Sequence, residues 1–170
     1  MTMRTLHLLR HAKSSWDDDS LGDHERPLSP RGVRDAKRIG EHLGTLPAPP
    51  DLVLCSSAVR TRQTLDLVKS SLGGTAVHVE EGLYGASAGE LLECLSGLPE
   101  AARSALVIGH NPGIQDLTLD LAAPGPLLDA VSVKFPTCAL ATFALGDRTW
   151  SGVSLGDAEL VGFTIPRDLS

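Results

Sequence analysis

The sequence predicts an α/β three-layer sandwich, in which a mostly parallel central sheet has helices on both faces and antiparallel edge strands near the C-terminus. Short apolar runs alternate with segments whose apolar residues recur at helical spacing, which is typical of a parallel sheet joined by helices. After residue 126 the helical spacing gives way to strand-like runs separated by turns that contain glycine. The length of 170 residues suits one domain, 1–170, with a buried core.

Seven strands are predicted from this pattern. Four short apolar runs are of the kind that fills a buried sheet, at 6–9, 52–55, 77–79 and 105–108. Three further runs in the C-terminal part are predicted to add antiparallel to the edge of the sheet, at 139–145, 149–155 and 159–165.

Four helices are predicted from their start and stop signals. The first begins at the Ser29-Pro30 cap and ends near Gly44, and the second follows the Ser56-Ser57 turn. Gly73-Gly74 stops the second helix, a capping box at 87–90 opens the third, and Asn111 with Pro112 opens the fourth.

Composition and charge exclude several classes of protein. Hydrophobic residues make up 42% of the chain and charged residues 21%, which is ordinary for a globular domain. The net charge is −6 and no basic run is longer than a pair, so nucleic acid is not an expected partner and local positive charge is expected only in the motifs below. Arg4, His7 and Arg10 interrupt the N-terminal apolar stretch, and no run reaches membrane-spanning length. We therefore expect a cytoplasmic protein without a membrane partner.

The cysteines and the acidic run predict neither a metal site nor a cysteine nucleophile. Cys55, Cys94 and Cys138 are too scattered for a disulfide framework or a zinc site, so we expect buried, reduced thiols. A cysteine-based phosphatase would need Cys-x5-Arg, whereas only four residues separate Cys55 from Arg60. The acidic residues at 17–19 lack ordered ligand spacing and indicate a solvated loop. No metal and no other cofactor is expected.

Three predicted strands end in turns that carry cations or imidazoles. Arg10 and His11 follow the first strand, Arg60 follows the second after the Ser56-Ser57 turn, and His110 follows the strand at 105–108. Because open α/β sheets bind ligands at the carboxyl ends of their strands, these side chains are expected to converge. Arg60 lies in the first turn of a helix, where a cation opposes the helix dipole unless an anion lies between them. The pattern favours a site for a phosphoryl group.

The motifs resemble the histidine phosphatase superfamily over roughly residues 4 to 165. They are Arg10-His11, Arg60-x-x-Gln63-Thr64 and Gly109-His110-Asn111. The run Arg-His-Ala-Lys-Ser at 10–14, with Arg-Pro-Leu-Ser-Pro-Arg-Gly at 26–32, resembles the short SixA-type phosphohistidine phosphatases more than the mutases. Ala12 replaces the glycine that is usual in the superfamily, as in the phosphohistidine branch. The resemblance implies a phosphoglycerate mutase-like fold.

His11 is the expected nucleophile, which would hold the phosphoryl group as a covalent phosphohistidine intermediate. Like-charge repulsion from Arg10 and Arg60 would keep its imidazole neutral, and the other ring nitrogen is expected to donate to a backbone carbonyl. Arg10, Arg60 and His110 are expected to bind the phosphoryl oxygens. Ser14, with its neighbours at 13 and 15, either lines the phosphate pocket or only forms the loop.

Glu81 matches the position of the superfamily's general acid, with Glu80 as an adjacent competitor. Phosphohistidine needs such an acid less than a phosphate monoester does, because imidazole leaves more readily than an alkoxide. The other histidines, His7, His24, His42 and His78, are interpreted as ordinary structural residues.

The resemblance implies a phosphohistidine-bearing signalling or phosphotransfer protein as substrate, and we expect a monomeric, metal-independent hydrolase. A phosphatase or mutase for a small phosphomonoester is the enzymatic alternative, although such enzymes carry longer insertions over the pocket. A non-catalytic phosphate-binding interaction domain is the third possibility. It is disfavoured because such a module has no need to keep both Arg10 and His11.

Overall fold

The computed structural model describes residues 3–169 and contains one six-stranded sheet with five α-helices. The strands are β1 (Arg4–Arg10), β2 (Leu52–Ser56), β3 (Ala76–Glu80), β4 (Ser104–Gly109), β5 (Leu140–Gly146) and β6 (Glu159–Thr164). The helices are α1 (Pro30–Leu43), α2 (Val59–Val68), α3 (Ala88–Ser96), α4 (Gly113–Leu121) and α5 (Leu128–Val133).

The strand order β3-β2-β4-β1-β5-β6 confirms the predicted sheet. The first four strands in this order pair in parallel, whereas β5 runs antiparallel to β1 and β6 antiparallel to β5. In register, Arg10 of β1 lies beside Gly109 of β4. The carboxyl ends of β1, β2 and β4 therefore meet at one edge of the sheet, where the three polar turns follow.

Each central strand alternates its side chains between two separate hydrophobic cores, because successive strand residues face opposite sides of a sheet. In β1, Leu8 belongs to the core under α3, α4 and α5, whereas Leu9 belongs to the core under α1 and α2. Val107 and Ile108 of β4 divide in the same way. The three-layer architecture follows because both faces of these strands carry buried apolar side chains.

The helix starts agree with the sequence signals. Ser29 caps α1 by accepting a hydrogen bond from the Gly32 N–H, and Ser87 with Glu90 forms the predicted capping box of α3. At the start of α4, Asn111 Oδ1 accepts from the Gln115 N–H at 3.2 Å. Each of these caps satisfies a backbone donor that the helix itself leaves unpaired.

Two expectations about the less regular parts of the chain were wrong, and one helix was missed. The segment 149–155 is a 3-10 turn over Trp150–Gly152 instead of a strand, because the fully buried Trp150 donates its Nε1–H to Ala102 O at 2.9 Å. Helix α5 was not predicted. Cys94 is exposed, whereas Cys55 and Cys138 are buried, and all three thiols are free.

No helix within residues 3–169 combines the length and apolar character needed to cross a bilayer.

Candidate active site

A cavity of about 320 Å³ opens at the carboxyl edge of the sheet. It brings together five of the six predicted site residues, namely Arg10, His11, Ser14, Arg60 and His110. The rest of its lining comes from Lys13, Trp16, Arg26, Asn111 and Thr137. The sixth predicted residue, Glu81, does not line the cavity.

His11 is buried at the end of β1 with its tautomer fixed. Its Nδ1 lies 2.7 Å from Ala12 O, and because a carbonyl oxygen can only accept, Nδ1 carries the proton. Burial, and then the neighbouring His110, Arg60 and Arg10, lower the pKa of His11 to about 3 despite this hydrogen bond. At neutral pH the ring is therefore uncharged, and Nε2 is its basic nitrogen.

His110 lies beside His11, with 5.2 Å between the ring centroids. Its Nε2 is 2.7 Å from Ser56 Oγ, at the end of β2, and this contact positions the ring. Burial and the charge of Arg60 are the main causes that lower the pKa of His110 to about 4. The cavity thus holds two adjacent neutral imidazoles at pH 7.

Arg10 and Asn111 both bind the carbonyl oxygen of Phe135, which precedes β5. Arg10 Nη1 donates to it at 2.8 Å and Asn111 Nδ2 donates at 3.1 Å. Arg10 Nε and His110 Nδ1 are buried and have no hydrogen-bond partner among residues 3–169. Both atoms belong to residues that line the cavity.

Arg60 is the second residue of α2 and is held by Asp23 through two contacts. Arg60 Nη1 donates to Asp23 O at 2.7 Å, and Nη2 donates to Asp23 Oδ2 at 3.0 Å. The Tyr84 hydroxyl donates to the same carboxylate oxygen at 2.5 Å. The Tyr84 hydrogen bond, followed by Arg60, lowers the pKa of Asp23 to about 2, so the carboxylate stays ionised at neutral pH.

The motif residues Gln63 and Thr64 fix the loop that carries His11. Thr64 Oγ1 accepts from the Ala12 N–H at 3.0 Å and donates to Arg60 O at 2.8 Å, so one hydroxyl joins the two loops of the site. Gln63 Oε1 accepts from the Leu28 N–H at 2.8 Å. A Cβ at position 32 would collide with the Lys13 carbonyl oxygen. Gly32 therefore allows α1 to lie close to the loop.

Arg26 forms one wall of the cavity together with Ser14 and Trp16. Its guanidinium donates to Ser14 Oγ and to Asp23 Oδ1, and it lies 3.2 Å from the centroid of the Trp16 ring. Ser14 therefore faces an arginine within the site. Trp16 is 72% exposed although its ring packs on this arginine, so an aromatic surface borders the cavity.

The family model for the histidine phosphatase superfamily (branch 1) matches residues 6–102, more than half of the sequence. The chain belongs to the histidine phosphatase superfamily. An uncharacterized protein of Mycobacterium tuberculosis is 39% identical over 164 residues, which cover 94% of this chain and all of that protein.

Solved structures place the chain in the SixA-type branch of the superfamily. A Nakamurella multipartitia protein, provisionally assigned as the phosphohistidine phosphatase SixA, superposes with a TM-score of 0.86 at 32% identity, covering 98% of both chains. The corresponding protein of Agrobacterium tumefaciens gives 0.82 at 28% identity, covering 96% of this chain and 98% of its own. The similarity spans nearly the whole chain and confirms the predicted fold class.

Several residues of this superfamily site were not identified from the sequence. Asp23 begins a three-residue 3-10 turn, Asp23–Glu25, that is too short to show periodicity, and Tyr84 was not predicted to be a site residue. His24, interpreted above as an ordinary loop residue, contacts Ser57 Oγ at 2.9 Å and packs against the edge of the Tyr84 ring. No local pattern signals such contacts, because the partners lie far apart in the chain.

Glu81 begins a 3-10 turn and its side chain is exposed. Its carboxylate makes no hydrogen bond or ion pair with any residue from 3 to 169, and the carboxylate that reaches the cluster is Asp23. The turn covers Glu81–Leu83, and the residue that follows it, Tyr84, contacts Asp23 in the site.

Across residues 3–169 no group of three or more His, Cys, Asp or Glu side chains is arranged to hold a metal ion.

Proposed function

We propose that the protein is a phosphatase whose His11 takes the phosphoryl group covalently from phosphohistidine on a signalling or phosphotransfer protein. The observation that carries this proposal is the hydrogen bond from His11 Nδ1 to Ala12 O. It leaves Nε2 as a basic lone pair on a buried, uncharged ring among cationic side chains. A neutral imidazole in such a place is prepared to attack phosphorus.

The reaction has two displacements. In the first, the Nε2 lone pair forms a bond to phosphorus while the bond from phosphorus to the substrate imidazole breaks, and that imidazole leaves with the electron pair and takes a proton from solvent water. In the second, a water oxygen forms a bond to the phosphorus on His11 and gives up a proton to solvent, the bond to Nε2 breaks with its electron pair returning to Nε2, and inorganic phosphate leaves. Arg10, Arg60 and His110 bind the phosphoryl oxygens, whose charge both transition states share.

The proposal of phosphohistidine as substrate is supported by the chemistry of the cavity lining. No Asp or Glu is among the described residues that line it, so it offers no obvious acid for an alkoxide leaving group. The bond from phosphorus to imidazole nitrogen needs little proton assistance, and a site without such an acid suits it. The names of the SixA-type structural relatives support the same substrate class.

The proposal is tested with one substrate panel and two variants. The panel contains a phosphohistidine protein, a phosphoserine peptide, a sugar phosphate and p-nitrophenyl phosphate. We expect the highest kcat/KM with the phosphohistidine protein. His11→Ala should lower turnover by several orders of magnitude, whereas His78→Ala, on the exposed strand β3, should not. Rapid quenching with a 32P-labelled substrate should trap an acid-labile, base-stable label on the wild type only. A higher kcat/KM with the sugar phosphate would contradict the proposal that phosphohistidine is the substrate. A label trapped on His11→Ala would contradict the proposal that His11 is the nucleophile.

The two arginines supply positive charge at the positions where a divalent ion would act in a metal-dependent phosphatase. We therefore expect the activity to survive dialysis against a chelator. Activity that is lost after dialysis and restored by Mg²⁺ or Zn²⁺ would contradict this part of the proposal.

A further inference from the structure

A second, larger cavity of about 610 Å³ lies next to the active-site cavity, and Thr137 lines both. It is formed by α1, by α5 with the segment that follows it, and by β6 with the segment that follows it. We call it the basic groove, because five cationic side chains line it: Arg31, Arg34, Arg38, Lys134 and Arg167. Of these five cations, only Arg31 belongs to the motifs that carry the family resemblance.

The positive charge of the groove is not neutralised by its surroundings. Its lining contains one carboxylate, the buried Asp35, which pairs with Arg31 at 3.6 Å and Arg38 at 3.5 Å. The side chains of Arg34, Lys134 and Arg167 make no ion pair within the part of the chain that the structure describes. In a protein whose net charge is −6, this concentration creates a local field that attracts anionic groups.

The expectation that local positive charge lies only in the motifs was wrong. The five cations come from three segments that are far apart in the sequence, so no basic run announces them. Arg31, Arg34 and Arg38 recur at intervals of three and four residues, which places them on one face of α1. The fold then brings Lys134 and Arg167 to the same face.

The groove also has an apolar component. Phe163, Pro166 and Val133 line it, and Val133 is 85% exposed. Surfaces that bind another protein combine apolar and charged side chains. A bare phosphate or a small metabolite would use the cations but not this apolar surface.

We propose that the basic groove docks an acidic segment of the substrate protein. The phosphohistidine that enters the active site would lie on that same substrate protein. This proposal rests on the proposed function and adds that the substrate protein is acidic near its phosphohistidine. Complementary charge would steer the partner toward the active site and raise its association rate, more strongly at low ionic strength. Because Thr137 lines both, the groove borders the cavity that receives the phosphoryl group.

The test uses two synthetic peptides that carry one phosphohistidine, followed by six glutamates in one and six glutamines in the other. The groove variant combines Arg34→Glu, Lys134→Glu and Arg167→Glu, and the control variant makes the same charge change elsewhere with Lys37→Glu, Lys69→Glu and Arg103→Glu. Binding is measured separately by fluorescence anisotropy with fluorescein-labelled, unphosphorylated forms of both peptides. A single-stranded oligonucleotide of equal charge is the third ligand.

At low salt the wild type and the control variant should hydrolyse and bind the glutamate peptide at least about tenfold better than the glutamine peptide. The groove variant should lose this preference while keeping its kcat with p-nitrophenyl phosphate. Equal binding of both peptides by the wild type would overturn the proposal, and so would a preference that persists in the groove variant. Tighter binding of the oligonucleotide than of the glutamate peptide would also overturn it.

The anisotropy measurement separates this proposal from the proposed function. Groove-dependent binding of the glutamate peptide without hydrolysis of either phosphohistidine peptide would refute the phosphohistidine substrate and leave the docking groove standing. Hydrolysis of both peptides at equal rates, with equal binding, would leave the substrate standing and refute the groove.

Discussion

The Tyr84 hydroxyl and the Asp23 carboxylate form a hydrogen bond of 2.5 Å between loops that are 61 residues apart. The oxygen that accepts this hydrogen bond, Oδ2, also accepts from Arg60 Nη2 at 3.0 Å. Arg60 is therefore oriented by a carboxylate that Tyr84 itself holds in place. Because a fixed guanidinium loses little freedom when it binds a phosphoryl group, this chain of contacts prepares the site before substrate arrives.

Tyr84→Phe tests whether Tyr84 positions Arg60. The loss of one hydrogen bond to a charged acceptor should lower kcat by about fivefold for every substrate, corresponding to about 1 kcal/mol. Because this hydrogen bond is the largest cause of the low pKa of Asp23, the variant should lose additional activity when the pH falls below about 5. The measurement is kcat against pH for p-nitrophenyl phosphate and a phosphohistidine peptide.

Asp23→Asn is the companion variant. It should also lower kcat, but without the additional acid loss, because its amide does not titrate. If Tyr84→Phe kept the wild-type kcat while Asp23→Asn lost activity, the Asp23 carboxylate would orient Arg60 without help from the Tyr84 hydroxyl.

Thr64→Val should impair both stability and activity, because the Thr64 hydroxyl is the acceptor for the Ala12 N–H in the loop of His11. Ala12 is fully buried, so its N–H would lose a partner that water cannot replace. We expect the free energy of unfolding to fall by about 1–3 kcal/mol and kcat to fall about tenfold or more as His11 is displaced. Urea unfolding and steady-state kinetics measure the two effects.

Thr118→Val is the matched control, because the equally buried Thr118 donates only within its own helix, to Ile114 O. It should leave kcat unchanged. Thr64→Ser keeps the hydroxyl and should restore most of the activity. A full kcat in Thr64→Val would show that the loop holds His11 without this hydroxyl.

The carboxyl-end cluster was predictable from sequence because its positions are set by the strands. Residues that follow parallel strands must meet at one edge of the sheet, so Arg10, Arg60 and His110 could be placed together before any coordinates. The central strands were also predictable from the apolar runs at 6–9 and 105–108. A strand that is buried on both faces has such a run instead of an alternating pattern.

The contacts between loops were not predictable, because they depend on tertiary packing and leave no periodic signal. Asp23 reaches Arg60 across 37 residues and Tyr84 across 61. The error at 149–155 has a similar origin. Val153 and Leu155 alternate as in a strand, but the buried Trp150 donates to Ala102 O and the chain forms a 3-10 turn there. The six-residue helix α5 is too short to show helical periodicity.

The buried histidines predict how stability and activity respond to acid. Burial, followed by the charge of His42, lowers the pKa of His7 to about 4, and the pKa values of His11 and His110 are about 3 and 4. Unfolding restores an ordinary value near 6.5, so below that pH the unfolded chain binds more protons than the folded one. The stability that these neutral rings contribute is therefore complete above pH 6.5 and is lost as the pH falls toward 4.

His7→Gln isolates one part of this effect, since His7 is buried and lies away from the cavity lining. Relative to the wild type, the variant should lose less stability between pH 6.5 and 4, by on the order of 3 kcal/mol at most. His78→Gln, at an exposed position, is the control and should follow the wild-type curve. Urea unfolding at several pH values measures the slopes, and identical slopes for all three proteins would contradict the prediction. While the protein stays folded, kcat/KM should not show an acid limb near pH 6.5, because His11 is already neutral there.

Glu81→Gln tests the predicted general acid against the geometry of the site. An acid that protonates the leaving group must come within hydrogen-bonding reach of it, yet the Glu81 side chain is exposed and outside the cavity lining. We therefore expect Glu81→Gln to change kcat/KM less than about twofold for phosphohistidine and for an alkyl phosphate alike. Glu80→Gln, one residue earlier, should behave in the same way. Arg60→Ala should instead damage both substrates, because the phosphoryl oxygens that it binds are common to them. A strong loss with the alkyl phosphate alone would mean that Glu81 reaches the leaving group once substrate is bound, and phosphate monoesters would then join phosphohistidine as substrates for which this chain is equipped.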